Sequence, residues 1–294
     1  MTPQRHRAAT ETQRPLDRDP LVTARSLRQR FKSRMQTYGA WISIGHPEIA
    51  SIFARAEGHF VGVDLEHTTT ELSTVQAIIR ACHECRRACL PRIFPGNLEA
   101  MRRLLDAGAD GVIVPQVSSR AEIDRLVIAL RYPPEGARSY GITAAHHYGR
   151  SFDEYVRAAN TSLSLLVQVE TVEAIERIEE IVSHPAVDGV MVGPYDLSGS
   201  MKMPGALTHP RVMAACARVL KACAAHAVSC GTHLPYPTAE ELRTRVAEGF
   251  TFLVLGSDVF NLWHRSVEVD AMINACAEHG RTRASRARAA RVTV

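Results

Sequence analysis

The chain reads as an α/β protein of the (β/α)8 TIM-barrel class, and three observations carry that reading. Short β-rich runs alternate with longer amphipathic stretches eight times over. The β-rich runs are continuously apolar rather than alternating, as strands covered on both faces are. No GxGxxG opens any helical stretch, which argues against a doubly wound open sheet. The 294 residues, 46% of them hydrophobic, are enough for one core of this size, since such barrels take about 250 residues.

The predicted strands, in order, are 40–44 (AWISI), 60–66 (FVGVDLE), 88–94 (ACLPRIF), 110–115 (DGVIVP), 163–170 (LSLLVQVE), 188–193 (DGVMVG), 227–232 (AVSCGT) and 250–256 (FTFLVLG). Helix signals lie between them. Asn97 precedes LEAMRRLLDA with Gly108 as its stop, Thr171 opens VEAIERIEEIVSH, and Thr238 opens AEELRTRVAE with Gly249 as its stop. A helix over 21–35 leads into the barrel. Residues 1–20 read as a disordered tail, 21–279 as the barrel, and 280–294 (basic, without helical or strand period) as a second disordered tail rather than a nucleic-acid arm. The connection 132–162, opening YPPEGARSYG, is long enough to predict a lid.

No apolar run reaches the ~18 residues of a membrane span, and the N-terminus lacks the apolar core of a secretory signal. The expectation is a cytoplasmic protein without membrane or nucleic-acid partners. Seven cysteines, an odd count, then read as reduced thiols. Cys82, Cys85 and Cys89 are spaced along one helical face, and no second CxxC completes a zinc site.

Active sites of such barrels form at the C-terminal ends of the strands. Those ends carry Asp64, Glu66 and His67 on the second strand and Arg92 on the third. The fifth ends in Gln168 and Glu170, and the sixth runs into Gly193, Pro194, Tyr195 and Asp196. Singly, each acid reads as a helix cap and each base as a surface group; together they aim compatible chemistry at one mouth. Two carboxylates suit a hard divalent ion that keeps positions for substrate oxygens. A guanidinium can stabilise enolate charge, and a histidine can move a proton. The inventory fits proton abstraction alpha to a carbonyl. A Schiff-base route needs a lysine at a strand end, and none of Lys32, Lys202 and Lys221 lies on a predicted strand.

These residues resemble the HpcH/HpaI-type class II pyruvate aldolases, a family that includes 2-dehydro-3-deoxyglucarate and 4-hydroxy-2-oxoheptanedioate aldolases. The resemblance runs from about Tyr38 to Ala271, through GAWISIGHPEIA, VDLEH, PRIFPGN, LLDAGADGVIVPQV, RYPPEGARSYG, VQVET and VDGVMVGPYDLSGS. It implies a divalent metal (Mg2+, Mn2+ or Co2+) on Glu170 and Asp196, with Glu66 supporting the ligands. It implies a His67–Asp106 dyad acting through water, Arg92 on the enolate oxygen, and Gln168 holding pyruvate. Backbone amides of the Gly193–Pro194–Tyr195–Asp196 turn would receive the substrate carboxylate. The implied substrates are pyruvate or a close 2-oxo acid plus an aldehyde. The implied assembly is a homo-oligomer, a hexamer or dimer-based, in which the last helix is exchanged between subunits.

Three departures bear on the acceptor. HTTTELS follows VDLEH where many members have Gly-Pro, RSYGITAAHHYG replaces a Gly-rich run, and Lys202 stands in the usual SMG. Lys202, His146 and His147 are therefore candidates for contact with the acceptor, against a plain reading as exposed loop residues. The alternatives are oxaloacetate decarboxylation, another enolate-forming lyase such as one acting on CoA esters, and a non-catalytic barrel. The last predicts loss of His67, Arg92, Glu170 or Asp196, and all four are present.

Overall fold

The structure is a computed structural model that describes residues 19–292, with side chains described through Ala277. Eight parallel strands close into a barrel in sequence order: β1 (Thr37–Ile42), β2 (Phe60–Asp64), β3 (Ala88–Arg92), β4 (Gly111–Val114), β5 (Ser164–Val169), β6 (Gly189–Val192), β7 (Ser229–Leu234) and β8 (Phe252–Leu255). β1 pairs with β8 to complete the ring. All eight lie within or beside the expected runs. β1 ends earlier than expected because the Ser43 and Ile44 amides leave the ladder and donate to the Asp258 carboxylate. β7 is displaced by two residues towards its C-terminal end and so takes in His233 and Leu234.

Strand parity sorts the core into two clusters. Outward residues meet the helices. Inward residues, among them Trp41, Phe60, Leu90, Ile113, Leu166, Met191, Phe252 and Val254, fill the barrel. Large and small side chains alternate there, and a Cβ at Gly62 would run into the Trp41 ring. The lead-in helix α1 (Val22–Lys32) closes the N-terminal end: its Phe31 is fully buried, with ring centroids 6.2 Å from Phe60 and 5.4 Å from Phe252.

The outer helices are α2 (Pro47–Ala54), α3 (Leu72–Glu84), α4 (Leu98–Ala107), α5 (Arg120–Leu130), α6 (Phe152–Ser162), α7 (Val172–Glu176), α8 (Ile178–Val182), α9 (Pro194–Ser200), α10 (Pro210–Ala225), α11 (Ala239–Glu248) and α12 (Asp258–Val292). The expected caps form. Asn97 accepts from the Ala100 amide, and Gly108 closes α4 in the left-handed region at φ 107°. Thr238 caps α11 and Gly249 ends it at φ 104°. Thr171 caps α7, but Arg177 breaks the expected single helix into α7 and α8.

Three expectations are corrected. Residues 152–162 of the supposed loop form α6, and a 3-10 turn occupies Ala144–His146. This connection follows α5 back from the mouth, so it packs on α4 and α1 at the N-terminal end of the barrel and is no lid. Cys89 lies on β3 and Cys85 caps α3, so the shared helical face reduces to Cys82. The backbone of 280–292 continues α12 instead of forming an unstructured tail; Ala and Arg stand near the top of the helix-propensity order. The expected N-terminal tail over 1–18 and the last two residues lie outside the described residues. No helix among the described residues is long and apolar enough to cross a membrane.

Candidate active site

Asp64 ends β2 facing the barrel axis. Its carboxylate accepts from the Glu66 amide at 3.0 Å, which turns the chain sharply at the mouth. Arg92 pairs with Asp64 in the β2–β3 register. Its guanidinium grips that carboxylate bidentately, Nε to Oδ1 at 3.0 Å and Nη2 to Oδ2 at 2.8 Å. It also lies 3.3 Å from Glu66 Oε2, reaches Gln168 Oε1 at 3.5 Å, and stands 4.9 Å above the Trp41 ring. A planar fork held on this many sides has little rotamer freedom left to lose on binding.

Glu170 follows β5. Its Oε1 accepts the Gln116 amide at 2.9 Å and its Oε2 accepts from Gln168 Nε2. Burial, then the charge of Asp196, pushes the Glu170 carboxyl up to about 7, against the pull of those hydrogen bonds. Glu66 is raised as well, first by burial and also by Asp64 and Asp196, while Arg92 and His67 oppose the shift. Four carboxylates thus share one mouth with one arginine. Gly193 keeps space beside the Glu170 carboxylate, because a Cβ there would stand 2.6 Å from Glu170 Oε2. Pro194, Tyr195 and Asp196 form the first turn of α9, where the Tyr195 and Asp196 amides precede the first intrahelical bonds; Pro194 has no N–H to offer. Among the described residues no group of three or more His, Cys, Asp or Glu side chains could hold a metal. Glu170 and Asp196 are close enough for the charge of one to raise the carboxyl of the other, and a pair of carboxylates is a donor type that suits a hard cation sharing its remaining positions with water and substrate.

The structure brings together Glu66, Arg92, Gln168, Glu170 and the Gly193–Asp196 turn. It does not bring His67 and Asp106 together within the chain. His67 is about two-thirds exposed, with Nε2 3.7 Å from Glu66 Oε2. Asp106 lies in the last turn of α4, at the opposite end of the barrel, and pairs with the buried Arg138 at 2.6 Å. The acceptor candidates also separate. His146 is buried and bound to the Gly141 carbonyl at 2.8 Å in the connection at the N-terminal end, and His147 stands beside it. Lys202 is exposed in the loop after α9.

Sequence reasoning missed Gln116, whose φ of 56° turns its amide onto Glu170 while its side chain reaches Glu66 at 3.5 Å. It also missed His233, because the strand was placed two residues too early. The PQV run after an apolar strand was the available signal for Gln116; nothing local marked His233.

A family model described as HpcH/HpaI aldolase/citrate lyase matches residues 37–265. The chain is 31% identical over 229 residues to the hydroxypyruvate/pyruvate aldolase of Cupriavidus necator, covering 77% of this chain and 84% of that protein. It is 27% identical over 221 residues to the 5-keto-4-deoxy-D-glucarate aldolase of Shigella dysenteriae, covering 75% and 86%. An HpcH/HpaI aldolase/citrate lyase family protein from Burkholderia cenocepacia has a similar structure, with a TM-score of 0.80 at 27% identity over 85% of this chain and 99% of that one.

Proposed function

The chain belongs to the HpcH/HpaI aldolase/citrate lyase family, and on that premise we propose that it is a divalent-metal-dependent aldolase. It adds the enolate of pyruvate, or of a close 2-oxo acid, reversibly to an aldehyde, and so makes or cleaves a 4-hydroxy-2-oxo acid. The observation that carries the reading is the charge imbalance at the mouth, where burial and Asp196 raise Glu170 to about 7 in a site with one guanidinium. A cation on Glu170 and Asp196 relieves that imbalance, and the oxygen donors suit Mg2+, Mn2+ or Co2+. When bound, the metal supplies Lewis-acid polarisation of the 2-oxo acid carbonyl.

The remaining work falls to the chain's own groups. The Tyr195 and Asp196 amides receive the substrate carboxylate, and Gln168, pinned between Arg92 and Glu170, fixes its orientation. Arg92 stabilises the negative charge that develops on the enolate oxygen; Asp64 and Glu66 hold it in place without neutralising every donor. His67, open to solvent beside Glu66, moves the C3 proton through a water. Asp106 has no part in this step within one chain.

The assembly we propose is a homo-oligomer, hexameric or dimer-based, with α12 exchanged between copies. The first turns of α12 are anchored through Asp258 and through Phe260, Trp263 and His264, whose rings pack on Tyr236. From Asn261 to Ala277 every residue is nonetheless exposed, including Leu262, Trp263, Val267, Met272 and Ile273. An apolar helix face of that extent calls for a partner surface.

The test is exchange of pyruvate methyl protons in D2O by NMR, first on EDTA-treated protein and then with each metal restored. Metal-dependent exchange is expected, and any site that stabilises this enolate also decarboxylates oxaloacetate. No exchange with any metal, together with no pyruvate binding, overturns the reading. In the same assay His67→Ala is expected to lower the rate about 10²-fold or more while leaving pyruvate binding in place; a wild-type rate removes His67 from the mechanism.

A further inference from the structure

His233 is an inward-facing residue that the mechanism above leaves unused. On β7 the residues Ser229, Gly231 and His233 alternate inwards, and Gly231 lies against the barrel-filling Phe252 ring. Thr232 pairs with Val192 in the β6–β7 register, so His233 follows level with Gly193, the glycine beside Glu170 and Gln168. Its ring lies 5.7 Å from Trp41, tilted by 34°, and Trp41 in turn carries the Arg92 guanidinium. Phe260 stands 6.4 Å away on another side. The imidazole is thus held in the wall of the site, in contact with the aromatic ring that supports the arginine.

Its polar atoms are unequally occupied. Nε2 lies 3.0 Å from the Gly256 carbonyl. A carbonyl only accepts, so Nε2 carries the proton and, in the neutral ring, Nδ1 is left as an acceptor. Burial, with Arg92 acting in the same direction, lowers the pKa and keeps the ring neutral. Among the described residues nothing donates to Nδ1. Packing on Trp41 and fixing the Gly256 turn use the ring face and Nε2 and give no occupation to the second nitrogen.

We propose that His233 is a specificity-determining residue whose Nδ1 accepts a hydrogen bond from a substrate hydroxyl, so that the site prefers hydroxylated over deoxy substrates. The hydroxyl belongs either to C3 of the 2-oxo acid or to the carbon next to the aldehyde. The inference rests on the aldolase reading, and pyruvate methyl exchange by the wild-type protein tests that reading separately.

Two substitutions isolate the acceptor. In His233→Gln the longer amide still reaches Gly256 from the position of Nε2 but leaves no acceptor at Nδ1. In His233→Asn the amide stands near the position of Nδ1. The readout is the kcat/KM ratio for hydroxypyruvate over pyruvate with one common aldehyde, and for glycolaldehyde over acetaldehyde with pyruvate, on metal-loaded enzyme. One neutral hydrogen bond corresponds to about a 3–10-fold change. His233→Gln is expected to lower one of the two ratios by that factor, with methyl exchange on pyruvate retained, and His233→Asn is expected to restore part of it. Loss in the first ratio places the hydroxyl on the 2-oxo acid; loss in the second places it on the aldehyde. Both ratios unchanged within twofold in both variants, with exchange intact, reduce His233 to a packing residue and overturn the proposal. Should His233→Gln fail to fold, a wild-type enzyme that shows no preference in either pair overturns it equally.

Discussion

The two ends of the barrel handle buried carboxylates in opposite ways. At the N-terminal end each is matched within the chain. Asp110 accepts from Thr23 Oγ1 at 2.5 Å, from the Cys89 amide at 2.7 Å and lies 2.8 Å from His83 Nε2. Asp188 accepts the Leu165 amide at 2.9 Å and lies 3.0 Å from both Arg28 and Lys32. Both residues come from the same DGV triplet, repeated before β4 and β6, and both tie α1 to the barrel. Arg138 takes Asp106. At the C-terminal end Arg92 pairs with Asp64 and Glu66, while Glu170 and Asp196 add two further carboxylates, and burial together with the neighbouring negative charge raises Glu66 and Glu170. These carboxylates of the closed end are matched without a ligand. The open end keeps carboxylates without such partners, which the proposed cation would supply, and this difference is the one expected between a stabilising end and a reacting one.

The sharpest way to break this comparison is to remove the one mouth cation. Arg92→Ala is expected to lower turnover by about 10²–10³-fold, the usual effect of losing one donor to a developing oxyanion. Steady-state rates with restored metal read this out, and a near-wild-type rate would deny Arg92 its role. At the other end, Asp188→Ala leaves Arg28 and the Leu165 amide without their acceptor. It is expected to cost about 3 kcal/mol in stability, seen by urea unfolding, with kcat unchanged well below the melting temperature. A lower kcat at equal foldedness would mean that the ends are not separate.

Glu170→Gln tests the mouth from the opposite direction. The folded-state value is raised from 4.5 to about 7, so the native protein binds this proton more tightly than the unfolded chain. Metal-free wild type therefore loses stability as pH rises from about 4.5 to about 7, by on the order of 1–3 kcal/mol. Metal-free Glu170→Gln should melt above wild type at pH 8 and level with it near pH 4. Added metal should stabilise wild type and not the variant. If the variant melts lower at pH 8 without metal, the mouth is not strained by charge.

The smallest effect belongs to His83. Burial alone would lower its pKa, but the charge and hydrogen bond of Asp110 raise it overall. A raised histidine stabilises fully below its unfolded value of about 6.5, and this contribution is lost as pH rises through the folded value. The stability gap between wild type and His83→Gln should be largest near pH 6 and shrink by pH 9. It should stay below about 1 kcal/mol because the ring is partly exposed; a gap that grows with pH would sink the assignment.

The sequence by itself determined the eight strands, the caps at Asn97, Gly108, Thr238 and Gly249, and the set of polar residues at the strand ends. These depend on local pattern: apolar runs, cap hydrogen bonds and the one-sided arrangement that a parallel barrel imposes on strand termini. Only the tertiary structure decided which groups meet. Asp106 is separated from the mouth by the length of α4, about 15 Å at 1.5 Å per residue, and Arg138 reaches it from a connection that had read as a lid. Gln116 and His233 enter the site through a backbone turn and a strand register, neither of which residue spacing encodes. The charge imbalance that makes one end reactive likewise depends on through-space distances among strands far apart in sequence. It could be seen only once the barrel had closed.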